Sequence, residues 1–547
     1  MSARLSLPLL KQHLYGASGL ALLIALYLLP GTLGHTPWRG DDIDAFATVH
    51  ALLQGEWFLF PHMAGEPVSH YGPLHYWLSG AFALLLGWLL PVHDAARLAT
   101  PFAAILATFW ISRTASRLYG RHTRAAAALL TIGTLGLALH VHENQPMVTL
   151  MAAQALTLAG LSLVPVRPLQ GSLQAALGVV LAFLAAGPLG MLLTLPLMFV
   201  VAFGIPKQRS SPRASGALIL GLTLALGLCA LWPASMALQQ PALLDWWWAH
   251  AWGDLSAGSL SSTSLPRTLE LLGWTVWPLW PIALWALWKA RRQLLQLQWR
   301  LPLAATVLAC LWIYARGAGS SDSAILLPLL PPLALLAAAG VPILRRGAAN
   351  AFDWFAVMSC SVFALLIWLA WTAQAFSWPP GLTRSLERMA PEFTLTGLLP
   401  QALIGAFIIL VWLLLVWRLP RNPDRSPTNW ALGLTMLWCL AVALLLPWFD
   451  HTRNYQPMAQ SLASTLAKHE ALCVATLGLA TSHRAALDIH TGLRPIEANT
   501  ETSCRFLIVQ DNDFVPEQAL TRQWREIWHY AHAGGKRLEI FRLYRRE

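Results

Sequence analysis

The sequence predicts a polytopic α-helical membrane protein of about thirteen crossings, closed by a small C-terminal α/β domain. Three observations predict it. Of 547 residues, 56% are hydrophobic and only 12% charged, with a mean hydropathy of +0.52, outside the range of soluble globular chains. The apolar residues fall in runs near the roughly twenty that a bilayer core requires, separated by short polar or basic stretches. From about Asp450 this pattern stops and a soluble composition begins. The expected division is residues 1–449 in the membrane, with an outer loop at 35–97, and residues 450–547 as an α/β domain outside it. The formal charge of +11 is carried by short clusters between apolar runs, where the positive-inside rule puts them, so topology rather than nucleic acid explains it.

The elements follow in order. Arg4, Lys11 and His13 precede the apolar run Leu14 to Gly34, which lacks a small-residue cleavage site and reads as a retained helix with a cytoplasmic N-terminus. That places the polar stretch Gly40 to Leu78 outside. Pro73 to Pro91 is long enough to cross, but the next run, Leu98 to Leu118, ends in the basic cluster Arg117 to Arg124. For that cluster to be cytoplasmic, Pro73 to Pro91 must lie along the outer interface. Ala125 to Leu139 then leads out and Met147 to Val164 returns. A hairpin, Gln174 to Ile205, turns at Gly187-Pro188. Ala217 to Ala237 leads to a tryptophan-rich outer loop, and Leu271 to Trp288 returns to Lys289 to Arg292. Leu301 to Ala315, Ala324 to Leu344, Ala351 to Ala373, Leu398 to Trp417 and Trp430 to Trp448 complete the set. The odd number sends the C-terminus outside.

In the tail, a helix over Asn454 to His469, strands at Ala471 to Gly478, Arg505 to Gln510 and Arg537 to Tyr544, and a helix over Ser482 to Thr491 are expected. Cys473 and Cys504 lie beside two of these strands, as a disulfide or as two buried thiols. The six cysteines show no metal-ligand spacing, and no phosphate-binding glycine motif occurs, so no nucleotide cofactor is expected.

By this topology four polar loops converge on the outer face: Asp41 to His75, His140 to Gln145, Trp246 to Asp254 and Arg316 to Asp322. Carboxylates and imidazoles beside a bilayer are costly unless they pair, bind metal or face water, which marks a site. An aspartate can take a proton from an acceptor hydroxyl, and arginine, histidine or a metal can neutralise a leaving phosphate. A transporter would place its ionisable groups at mid-membrane, whereas these spans are nearly free of them. Tryptophans 246, 247, 248 and 252 suit sugar stacking or a lipid groove, although interfacial residence explains most of them.

The first loop, with Asp41-Asp42, Gly55-Glu56-Trp57 and His70-Tyr71-Gly72-Pro73-Leu74-His75-Tyr76-Trp77-Leu78, resembles that of the family 39 glycosyltransferases of the C-type membrane fold. That family includes bacterial lipid A aminoarabinose transferases and protein O-mannosyltransferases. The resemblance implies sugar transfer from an undecaprenyl-phosphate donor to an acceptor, lipid A or a related envelope glycolipid, with a protein or polymer as the alternative. It implies a monomer in the bacterial inner membrane, with the C-terminal domain periplasmic. Asp41 or Asp42 takes the catalytic acidic position, Asp42 being preferred, and Asp44 reads as a helix cap. His70 stands where the family carries a metal- or phosphate-orienting glutamate and pairs with His250 as the expected site of a divalent metal ion. Tyr71 stands in place of a lysine. Glu143 is the expected helper carboxylate from the second loop, with Gln145 as the alternative partner of the sugar. Tyr71, His75, Gln145 and Arg316 complete the expected donor-phosphate and substrate contacts.

Overall fold

The computed structural model describes residues 16–69, 71–204, 212–257, 264–315, 323–391, 393–420, 422–471, 473–498, 504–511, 524–533 and 538–546. The chain opens with α1 (Ala17–Leu28) and then makes the first loop. That loop holds α2 (Asp41–Leu53), a two-stranded ribbon of β1 (His62–Met63) and β2 (Glu66–Pro67), and α3 (Leu74–Leu86). Helix α3 has 13 residues. At about 1.5 Å per residue it is too short for a bilayer core of roughly 30 Å, in line with an interfacial position.

Helices α4 (Val92–Arg97) and α5 (Ala99–Tyr119) continue as a long apolar stretch. Next come α6 (Thr123–Ile132), α7 (Leu135–His140) and α8 (Pro146–Leu163). The run α9 (Pro168–Gly204) is the expected hairpin, with its first arm starting earlier than anticipated. Ala186 and Gly187 leave helical geometry, and Gly187 takes φ +59°. A Cβ on Gly190 would lie 2.0 Å from the Ala182 carbonyl oxygen, an approach that residues eight apart make only when the chain doubles back. Glycine at 190 therefore permits the two arms to touch.

Helices α10 (Pro212–Gln239) and α11 (Pro241–Ala257) precede α12 (Ser264–Thr275) and α13 (Leu279–Ala290). The last pair corrects the expectation of one straight span over Leu271 to Trp288: the described parts bend by 86°. Pro278 removes a backbone donor at the break, and the residue before it is pushed out of helical geometry. The membrane part ends with α14 (Leu297–Ala315), α15 (Leu330–Gly340), α16 (Arg346–Phe376), the short amphipathic α17 (Pro380–Met389), α18 (Leu398–Arg418) and α19 (Arg425–Arg453). Nine of these stretches are long and apolar enough to cross alone, and the bent pair is a tenth. Helices α1, α3 and α6 are apolar but shorter, so among the described residues length and composition give nine crossings, or ten with the bent pair, where about thirteen were expected.

The ends sort by charge. Tyr119, beside the Arg117 to Arg124 cluster, donates to the Gln298 carbonyl at 2.6 Å, and Arg425 pairs with Asp353 near the start of α16 at 3.0 Å. These basic segments gather at one end of the bundle. The first loop and residues 140–146 gather at the other, where Thr36 also donates to Asp450 at the end of α19.

The C-terminal domain sits on that second end. Helices α20 (Gln456–Lys468) and α21 (Thr481–Thr491) pack on a five-stranded sheet of order β4-β3-β5-β7-β6, made by β3 (Val474–Leu477), β4 (Ile496–Glu497), β5 (Phe506–Asp511), β6 (Trp524–Ala533) and β7 (Leu538–Arg546). β3 runs parallel to β4 and β5, while β7 lies antiparallel between β5 and β6. Strands β4 and β6 were not anticipated. Cys473 and Cys504 form a disulfide, with Cα atoms 5.2 Å apart. The domain shares its core with the first loop: Ile43, Ala47 and Met63 pack among Tyr455, Leu462, Leu487 and Phe541. Arg494 adds ion pairs to Asp488 of α21 and to Glu56 beyond α2. Each large apolar side chain closed off this way contributes about 1.5–3 kcal/mol.

Candidate active site

Helix α2 starts at Gly40, whose φ of +93° suits glycine. Its first turn carries Asp41, Asp42 and Asp44, a placement that the exposed N–H groups and the positive end of the helix dipole favour. A helix turns about 100° per residue, so three aspartates in four positions cannot share a face. Asp41, Asp44, Ala45 and Thr48 form one stripe at helical spacing, and that stripe lines a cavity of about 520 Å³. Opposite it stand Glu66 and Val68 of the ribbon, Tyr71, Tyr76, Pro146 and Trp246, with Thr481, Arg484 and Glu497 from the C-terminal domain.

Asp42 points the other way, and this corrects the preference for it as the base. It is 1% exposed. Arg97 Nε and Nη2 donate to its two oxygens at 3.1 and 3.0 Å, and the backbone N–H groups of Asn144 and Trp38 donate to it at 2.7 and 2.9 Å. Burial opposes its charge, but the Arg97 guanidinium outweighs burial and holds the carboxyl below its usual range. Arg97, also 1% exposed, donates in addition to Asp94 at 2.7 Å and to the Thr32 carbonyl at 2.9 Å. This knot ties the segment after α1, α2, α4 and the second loop together, with Asp42 at its centre.

Asp41 faces the cavity with its orientation set by Gln145. Gln145 Nε2 donates to Asp41 Oδ2 at 2.7 Å, while Gln145 Oε1 accepts the Met147 N–H at 3.2 Å and caps α8. The Gln145 N–H donates to Thr100 at 2.9 Å. Gln145 is fully buried and is not part of the cavity lining, its contact with the site being the one to Asp41. Asp44 also departs from its expected role as a cap. Burial, reinforced by the Asp41 charge and opposed by the Ser482 hydroxyl, pushes it up to about 7, and its buried Oδ1 has no hydrogen-bond partner among the described residues.

Glu143 does not line the cavity. It forms an ion pair with Arg453 at 3.3 Å, and burial together with the Asp42 charge pushes it up to about 8 despite that arginine. His75 does not reach the cavity either, which corrects its reading as a substrate contact. It is fully buried, its Nε2–H donating to Asn144 Oδ1 at 2.7 Å and its Nδ1 accepting the Thr149 hydroxyl at 2.8 Å. Burial keeps it neutral by pulling it down to about 4.

Tyr71 is in the cavity wall, fixed by its neighbour: Gly72 N–H donates to the Ala185 carbonyl at 2.9 Å, at the tip of the α9 hairpin. A Cβ on Gly72 would lie 2.2 Å from the Leu184 oxygen, so only glycine permits this seating. Trp246 lines the cavity, whereas Trp247 is buried against Phe183 and Trp232. The exposed His250 stacks on Trp246 at 4.1 Å, its Nδ1–H donating to the Trp246 carbonyl at 2.7 Å. His70 and Arg316 lie outside the described residues. Among the described residues no three metal-ligating side chains gather, and His250 has one ring nitrogen committed to backbone.

Three contributors to the site were missed in the sequence: Asp44 as a cavity residue, Arg97 as the anchor of Asp42, and Arg484. The first was readable, because positions 41, 44, 45 and 48 form a helical stripe that excludes 42. The others come from distant segments.

No family model matches the chain, and no curated protein sequence matches it. Among solved structures it is similar to ArnT from Cupriavidus metallidurans bound to undecaprenyl phosphate, with a TM-score of 0.67 at 15% identity over 96% of each chain. It is equally similar to the same protein in the apo state, with a TM-score of 0.66 at 16% identity over 96% of each chain. At these identities the likeness is one of fold, and it extends through the membrane part and the C-terminal domain. The C-type membrane glycosyltransferase fold implied by the first loop is the fold of this chain.

Proposed function

We propose that this chain is a membrane glycosyltransferase that moves a sugar from a polyprenyl-phosphate donor to an acceptor at the outer face of a bacterial inner membrane. Lipid A or a related envelope glycolipid is the acceptor this reading favours. One observation carries it: Asp41, oriented by Gln145, faces a cavity at the loop end of the bundle, in a chain with the fold of a protein whose structure holds undecaprenyl phosphate.

In the proposed reaction Asp41 accepts the proton of the acceptor hydroxyl as that oxygen bonds to the anomeric carbon. The bond between that carbon and the donor phosphate breaks, and the phosphate leaves with the electron pair. Gln145 keeps Asp41 Oδ2 engaged and so sets the orientation in which the carboxylate meets the hydroxyl. Asp44, one turn along the same face, accepts hydrogen bonds from the sugar and shares charge with Asp41. Tyr71 and Trp246 offer aromatic surface to the sugar or the lipid.

Mass spectrometry of lipid A and envelope glycans from cells with the protein, without it, and with Asp41→Asn tests the reading. A hexose- or pentose-sized addition present only with the unaltered protein is expected. Identical glycolipid and glycan profiles in all three strains, with the protein expressed, would sink it.

A further inference from the structure

The C-terminal domain contributes to the cavity as well as covering it. Four carboxylates, Asp41, Asp44, Glu66 and Glu497, line the cavity, and Arg484 is its one cation among the described lining residues. Arg484 is half-buried on the first turn of α21, a helix that packs directly on α2. Other arginines around this end are matched to acids: Arg97 to Asp42 and Asp94, Arg453 to Glu143, Arg39 to Glu539, and Arg494 to Asp488 and Glu56. Arg484 is not. Among the described residues its guanidinium has no ion pair, even though four acids share its cavity. In the same wall the buried Asp44 Oδ1 also lacks a partner.

A partly desolvated guanidinium without a counter-charge is an unfinished arrangement, and its planar fork of donors matches two phosphate oxygens. We infer that Arg484 binds the phosphate of a lipid-linked ligand in this cavity, so that the site is built jointly by the first loop and the C-terminal domain. The inference rests on the glycosyltransferase reading and divides the cavity by charge. The carboxylates of α2 meet hydroxyls of the sugar and acceptor, and the α21 side takes the anion. The phosphate belongs either to the sugar carrier or to a phosphorylated acceptor.

Binding to the full-length protein in nanodiscs, measured by native mass spectrometry, separates these sources. The probes are undecaprenyl phosphate, neutral undecaprenol, lipid A and dephosphorylated lipid A. Arg484→Gln should weaken binding of at least one phosphorylated probe tenfold or more without changing binding of its neutral counterpart, and Arg484→Lys should restore part of the loss. Loss for undecaprenyl phosphate assigns the carrier, and loss for lipid A assigns the acceptor. A folded Arg484→Gln protein that binds both phosphorylated lipids as the unaltered protein does overturns the inference and leaves the function standing. An unaltered protein that binds neither lipid overturns the functional reading, and this inference with it.

Discussion

Asp41 and Asp42 are adjacent and chemically identical, yet their surroundings set them to different work. Asp42 accepts four hydrogen bonds while buried, and removing its charge leaves Arg97 buried with half its compensation. Asp42→Asn should therefore destabilise the protein by about 3–5 kcal/mol, read as a lowered melting temperature and poor recovery from detergent. Asp41→Asn should leave the melting temperature nearly unchanged and lower transfer at least ~100-fold. Reversed behaviour of the two variants would exchange their assignments.

Asp44 carries a pH dependence whose sign follows from its environment. Its folded value, near 7, lies above the ordinary carboxylate value, so between roughly pH 4 and 7 the folded protein holds a proton that the unfolded chain releases. Stability falls as pH rises through that window and levels above it. Asp44→Asn should remove this slope, raising the melting temperature at pH 8 relative to the unaltered protein, and should shift the pH–rate profile for transfer. A melting curve at pH 8 unchanged by the substitution would show Asp44 to be ionised at no cost.

Among the elements, the α9 hairpin and the α2–α21 contact do most to shape the cavity. The hairpin tip receives Gly72, and so sets where Tyr71 stands. Gly190 is the point at which the two arms meet. Gly190→Val should push the arms apart at a cost of about 1–3 kcal/mol or more, lowering the monodisperse fraction in size-exclusion chromatography. Gly216, around which a Cβ meets nothing within 4 Å, should accept alanine with no such loss. The α2–α21 contact works differently. Because Ile43 and Ala47 are buried in the core of the C-terminal domain, the helix that holds the aspartates and the helix that holds Arg484 keep a fixed spacing.

For the whole molecule, the C-terminal domain packs on the end of the bundle where the cavity lies, and the proposed topology puts that end outside. An alkaline phosphatase fusion after Arg124 should be inactive, and one after the last residue should be active. Activity at Arg124 would mean that Pro73 to Pro91 crosses, and would move the cavity to the other face. The gathering of basic segments at the far end argues against that.

The sequence by itself determined the membrane class, most of the run of apolar helices, the hairpin turn at Gly187-Pro188 and the change to an α/β domain. These were legible because a bilayer imposes rules of length, polarity and flanking charge that act locally along the chain. It also pointed to the first loop, because polar residues beside apolar runs need a reason. Tertiary structure alone decided which aspartate faces the cavity and which is tied to Arg97, and that Gln145 rather than Glu143 attends Asp41. It also seated Arg484 opposite α2 from a separate domain. A carboxylate's role depends on what neutralises or exposes it, and here those partners come from segments that only folding brings together.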